Sequence, residues 1–151
     1  MSIESEIFLF SASRAQLVRE KIKPFLEQGY YVISDRFHDS TTAYQGFGRG
    51  LPLESVMHIN NVAIDLTIPD LTFFIDISME EAEKRKQSKL HSELDRIEVS
   101  DSAFFERVRN GYLHLAKTEK RFRVVDGTKK VEEIHKIILE EVRLFENKEL
   151  V

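Results

Sequence analysis

An aspartate and an arginine stand side by side at positions 35 and 36, directly behind the run YYVIS, residues 30–34. That run is β-branched and aromatic, and the polar segment DRFHDS follows it, so it reads as a buried strand. In open parallel sheets, ligands bind beyond the carboxyl ends of the strands, which is where this pair falls. An arginine there can fork onto phosphate oxygens, and an aspartate can hold a metal ion or a water. A surface ion pair capping the strand accounts for the same two residues, and position alone does not separate the readings.

Two other features with chemical potential give less. Gly46, Gly48 and Gly50 alternate in QGFGRG, but the spacing is not that of a Walker loop and no GK[ST] follows. Arg49, between two of them, reads as solvated. His38, His58, His91, His114 and His135 show no metal-ligand spacing and read as structural or surface residues. With no cysteine there is no disulfide framework and no thiolate metal site, in agreement with a reducing cytoplasm.

The elements that must hold these residues follow from periodicity and punctuation. Ala15, Val18, Ile22, Phe25 and Leu26 recur at helical spacing over 12–28, with Gly29 as the stop and a kink expected at Pro24. After the strand at 30–34 and a glycine-bearing loop, residues 53–67 read as a helix ended by Pro69. The run LTFFIDI, residues 71–77, is the clearest strand, and Ser78 with Glu81 makes a capping-box pattern for a helix from 79. Residues 87–98 are polar and charged and read as a loop or lid. A helix capped by Asp101 or Ser102 follows, with Phe104, Phe105, Val108, Tyr112, Leu115 and Ala116 on its apolar face. FRVVD, residues 122–126, is a third strand, and Thr128 caps a last helix bearing Val131, Ile134, Ile138, Val142 and Phe145. Strands alternating with helices predict an α/β layer fold: one domain, 1–151, with three parallel strands and helices on both faces.

Hydrophobic residues make up 42% and charged residues 32% of the 151, an ordinary composition for a folded domain with a sizeable core. The formal charge of −4 provides no basic surplus to draw the chain to nucleic acid or an anionic membrane. No apolar run reaches the roughly 20 residues that span a bilayer.

The runs FLFSASRAQ, IKPFLEQGYYVISDRFHDSTTAYQGFGRGL, PDLTFFIDI, LDRIE, FFERVRNGYLHLA and VDGTKKVEEI, in this order and spacing, resemble thymidylate kinases over nearly the whole chain. The resemblance implies a P-loop nucleotide-kinase fold, transfer of the ATP γ-phosphoryl group to dTMP, a requirement for Mg²⁺, and a homodimer. It implies roles residue by residue. Phe10 would stack on the thymine ring, where by itself it reads as a core phenylalanine. Arg14 would donate to a base carbonyl. Asp35 and Arg36 would serve the phosphates in flight, Asp35 as a metal ligand. Ser40 and Thr41 would face the base, with Tyr44 crowding the 2′ position of the sugar and Gln45 beside it. Arg85 and Arg96, in or beside the lid-like segment with Glu98, would approach ATP phosphates, and Tyr112 would lie near the base pocket. Loop packing and solvated charge are the plain alternatives for each.

The family's GxxxxGK[ST] loop, its first strand and its Arg-Glu-Pro segment are absent from these 151 residues. The chain therefore reads as a fragment, a mis-started kinase, or a truncated relative that binds nucleotide without catalysis or is completed by a partner. A kinase of another deoxynucleotide or deoxynucleoside, and a purely structural module, are the remaining alternatives. In the family the first strand lies between those resembling YYVIS and LTFFIDI. Without it, unpaired buried backbone costs roughly 1–3 kcal/mol per group, against a total stability of about 5–15 kcal/mol. The purified chain is expected to be a marginal monomer in thermal unfolding, and a well-ordered isolated monomer with a high Tm would refute this.

Overall fold

The computed structural model describes residues 1–88 and 102–149. The chain forms two compact units, one from Met1–Ile68 with Ala103–His114, the other from Pro69–Ser102 with Leu115–Val151.

The first unit opens with helix α1, Ile3–Leu17, whose N-cap Ser2 accepts from the Ser5 amide. The helix starts well before the expected residue 12. The run IFLF is apolar on every side and hides its period, while Ser2 followed by Glu4 and Glu6 supplies the start signal. The rod continues through a π-helical turn, Val18–Ile22, into α2, Lys23–Glu27. The widened turn directly precedes Pro24, which lacks an N–H and crowds the carbonyl one turn back. Gly29, at φ 81°, ends the rod, with its amide donating to the Leu26 carbonyl at 2.9 Å.

The expected buried strand at 30–34 is not formed. The segment joins no ladder among the described residues, and Ile33 and Tyr31 are 97% and 79% exposed. The physical reason is that β-propensity selects residues suited to a sheet, whereas a strand exists only when a neighbour takes its backbone hydrogen bonds. The expected glycine-bearing loop with Gly46, Gly48 and Gly50 is also corrected. Helix α3, His38–Thr41, runs directly into a π-helix, Thr42–Gly48, and the short side chains of Ala43, Gly46 and Gly48 suit its close approach to neighbours.

Helix α4, Leu53–Ile64, packs beside α1. It ends three residues before the expected boundary because Asp65 turns left-handed at φ 47°. Arg19 closes this end by donating to the carbonyls of Ala63 and Val62 at 3.2 and 3.3 Å, and Lys23 pairs with Asp65. Ile7, Val18, Ala43 and Val56 form the centre of the unit and are essentially sealed from solvent. Helix α6, Ser102–Thr118, contributes Phe104 and Val108, both buried against Gly48.

The second unit contains the sheet. Strands β1, Thr72–Asp76, and β2, Phe122–Asp126, pair in parallel, with Thr72 opposite Phe122 and Asp76 opposite Asp126. The α/β class with a parallel sheet is thus observed, with two paired strands among the described residues instead of the expected three. Helix α5, Met79–Ser88, is capped as expected, the Ser78 hydroxyl accepting from the Glu81 amide. Helix α7, Val131–Glu149, is not capped by Thr128, whose hydroxyl and amide both donate to Asp126. Its start is instead closed by Glu133, which accepts from the Lys130 amide at 3.1 Å. Phe122 and Val125 are the buried residues of β2, and Arg123 bonds Glu141 of α7 at 2.7 Å. No helix among the described residues is long and apolar enough to cross a membrane.

A Cβ on Gly48 would lie 2.7 Å from both Phe104 and Val108. Gly48→Ala is therefore expected to destabilise the chain by about 1–3 kcal/mol in urea unfolding, as overpacking does. Ile33→Lys is expected to change it by about 0.5 kcal/mol or less, as an exposed substitution.

Candidate functional site

The first unit brings most of the predicted site residues onto adjacent pieces of chain. Phe10 and Arg14 are four apart on α1 and so share one face of it. Phe10 is 44% exposed, a solvent-facing aromatic and not a core one. The Arg14 guanidinium sits by the turn that carries the Asp35–Arg36 pair. Its Nη2 donates to the Phe37 carbonyl at 3.4 Å, and its carbon lies 5.7 Å from the centre of the Phe37 ring. Nη1 is buried without a hydrogen-bond partner. Burial lowers the pKa of Arg14, and the nearby Asp39 carboxylate works against that shift.

Arg36 occupies the left-handed region at φ 66°, unusual for a residue with a side chain. Its carbonyl accepts from the Ser34 hydroxyl at 2.8 Å, and its guanidinium lies 5.1 Å from the centre of the Tyr44 ring. Tyr44 meets Tyr112 edge to face at 6.4 Å and Phe104 at 6.0 Å. Tyr112 and Ser40 share a hydroxyl–hydroxyl bond of 2.7 Å. Arg36, Tyr44, Tyr112 and Ser40 therefore form one continuous wall of cation, rings and hydroxyls. Thr41 is buried within α3. Asp35 is exposed beside Arg36.

Gln45 takes a different place from its neighbours. It is 3% exposed, and its amide nitrogen donates to Glu6 at 3.0 Å. Arg49, which read as solvated, instead approaches the same Glu6 oxygen at 3.5 Å and lies over the Phe104 ring at 4.6 Å. In the second unit, Arg85 is tethered to Glu81 at 2.7 Å and to the Gly127 carbonyl at 2.9 Å, at the carboxyl end of β2. Arg96, Glu98 and all but the start of the lid-like segment lie outside the described residues.

No group of three or more acidic or histidine side chains able to hold a metal occurs among the described residues. Asp35 is a single carboxylate and does not make a cage by itself. Sequence reasoning missed Glu6, Asp39 and Asn60. Glu6 is signalled by its spacing of four from Phe10 once α1 is known to begin at Ile3. Asn60, which bridges the His38 carbonyl and the Thr42 hydroxyl at 3.2 and 3.0 Å, carries no such signal.

Burial pushes the Tyr112 phenol up to about 12, the bond from Ser40 acting in the opposite direction. The folded chain holds this proton more tightly than the unfolded one, so the stabilisation is complete below the ordinary tyrosine pKa of about 10 and is lost as pH rises through about 12. In an alkaline titration followed by tyrosinate absorbance, one of the four tyrosines is expected to ionise late, and Tyr112→Phe is expected to remove that step.

The sequence matches the family model for thymidylate kinase over residues 1–138. A thymidylate kinase of Thermosipho melanesiensis is 49% identical over 132 residues, covering 87% of this chain and 65% of the relative. One of Kosmotoga olearia is 46% identical over 142 residues, covering 93% and 67%. Among solved structures, the thymidylate kinase of Ehrlichia chaffeensis superposes with a TM-score of 0.73 at 31% identity, over 95% of this chain and 66% of that one. The chain thus spans about two thirds of the length of the curated relatives it matches. On sequence and fold together, it belongs to the thymidylate kinase family.

Proposed function

We propose that this chain provides the acceptor side of phosphoryl transfer from ATP to dTMP, a reaction giving dTDP and ADP. The observation that carries the reading is the buried, unpartnered Nη1 of Arg14, one turn from the exposed ring of Phe10. A buried cationic donor without an acceptor is costly, and a pyrimidine carbonyl would relieve it. Phe10 would stack on the base, while Ser40 and Thr41 face it from α3. Tyr44, edge-on to Tyr112, would close the sugar's 2′ side and favour deoxyribose.

Arg36, aimed by its left-handed backbone and held against the Tyr44 ring, would contact the acceptor phosphate. Asp35 would orient water or serve as one ligand to Mg²⁺, which is commonly held by one or two carboxylates together with phosphate oxygens. Mg²⁺, when bound, neutralises charge developing on the transferred group. Arg85 and Arg96 would approach the donor phosphates. The work of these side chains is positioning and charge stabilisation, since a dissociative phosphoryl transfer leaves little covalent chemistry to the protein.

A homodimer through α1 and α4 is supported by the exposed side chains of Phe8, Leu9, Met57 and Val62. Sedimentation at increasing concentration tests it.

Arg14→Ala is expected to weaken dTMP binding by about 1.5–3 kcal/mol, the range for a hydrogen bond from a charged group, measured by calorimetry. Unchanged affinity would remove Arg14 from the site. Release of ADP from ATP and Mg²⁺ on adding dTMP, in a coupled assay, separates turnover from binding alone.

A further inference from the structure

We infer that Glu6 is a positioning residue for sugar discrimination, holding Tyr44 in place through Gln45 and Arg49 of the segment that carries it. This rests on the acceptor-site reading above, in which Tyr44 faces the sugar. Glu6 lies on α1, is 5% exposed, and has no solvent to stabilise its charge. Its Oε1 is engaged twice by the segment that carries Tyr44. Gln45, the next residue, donates its amide to it at 3.0 Å, and the Arg49 guanidinium stands 3.5 Å away.

From Arg49 the contacts lead back to the site. Its guanidinium covers the Phe104 ring at 4.6 Å, and Phe104 meets the Tyr44 ring at 6.0 Å. Glu6 thus reaches Tyr44 by two routes, through the backbone of Gln45 and through the Arg49–Phe104 stack. A π-helix is an uncommon conformation that persists only when its surroundings hold it, and this one spans Thr42–Gly48. Without an acceptor at position 6, Gln45 would be left with an unmet donor and Arg49 would lose its anchor. The segment would be free to relax toward ordinary helix, which turns Tyr44 away from the sugar. Glu6 itself touches no ligand in this scheme.

The test compares the affinities of dTMP and ribothymidine 5′-monophosphate by calorimetry, using the full chain. The wild-type chain is expected to prefer the deoxynucleotide by about tenfold, as a pocket that rejects a hydroxyl by shape does. Glu6→Met keeps the volume but removes the acceptor, and is expected to reduce that preference about fivefold, in line with the cost of small misplacements. Glu6→Gln keeps an acceptor oxygen for both partners and is expected to restore the preference to within about twofold of wild type. If Glu6→Met fails to fold, Glu6→Met/Arg49→Met leaves no unpaired buried charge and is expected to show the same loss.

An unchanged preference in the methionine variants, or a glutamine variant no better than they are, overturns the inference. So does a wild-type chain that binds both nucleotides equally well, although the acceptor site then stands. A wild-type chain that binds neither nucleotide overturns the acceptor-site reading itself.

Discussion

The first unit is organised around a buried carboxylate. A charge removed from water is expensive, and it survives inside a protein only when hydrogen-bond donors replace the solvent. Glu6 meets that constraint with the Gln45 amide and the Arg49 guanidinium, both from the stretch that follows α3. The carboxylate therefore dictates where residues 45 and 49 must lie relative to α1. The same stretch sets Arg49 over the Phe104 ring, Phe104 against Tyr44, and Gly48 close to Phe104 and Val108. Removing the carboxylate would take away the acceptor of both Gln45 and Arg49.

A second constraint acts on the backbone. Parallel strands are stable only as members of a ladder, and β1 and β2 satisfy each other over five registered pairs. Residues 30–34 have the composition of a strand but join no ladder among the described residues, and they leave Ile33 and Tyr31 in solvent. What immediately follows is nevertheless well determined. Arg36 adopts a left-handed backbone, the Ser34 hydroxyl bonds its carbonyl, and its side chain lies against Tyr44. The local geometry of the Asp35–Arg36 turn is thus set by side-chain contacts and not by a strand behind it.

Much of the architecture was legible because its signals are local. The β1 and β2 segments combine β-branched and aromatic residues with abrupt turn boundaries, and Ser78 caps α5 through a bond between neighbours in sequence. Pro24 announces its distortion because a missing N–H is a property of the residue itself. The parts that were not legible depend on partners distant in sequence. The start of α1 was obscured by an apolar run without periodicity. The π-helix at 42–48 resembled a loop because glycines punctuate it, and the need for glycine comes from packing, of Gly46 on Leu53 and of Gly48 on Phe104 and Val108. Arg49 appeared solvated because the residue that buries it, Glu6, lies more than forty positions away.

Residue type, order and spacing alone place the chain in its family and in the α/β class, and they single out the side chains proposed above for a pyrimidine nucleotide. A linear string records all three completely. Only the tertiary structure decided which of those side chains meet. It placed Ser40 on Tyr112 and Arg36 on Tyr44, enclosed Gln45 against Glu6, and left residues 30–34 without a ladder among the described residues. The reason is that burial and pairing are properties of two or more segments together: the energy of a buried charge or an unpaired strand depends on what folding brings beside it, and no single segment contains that information.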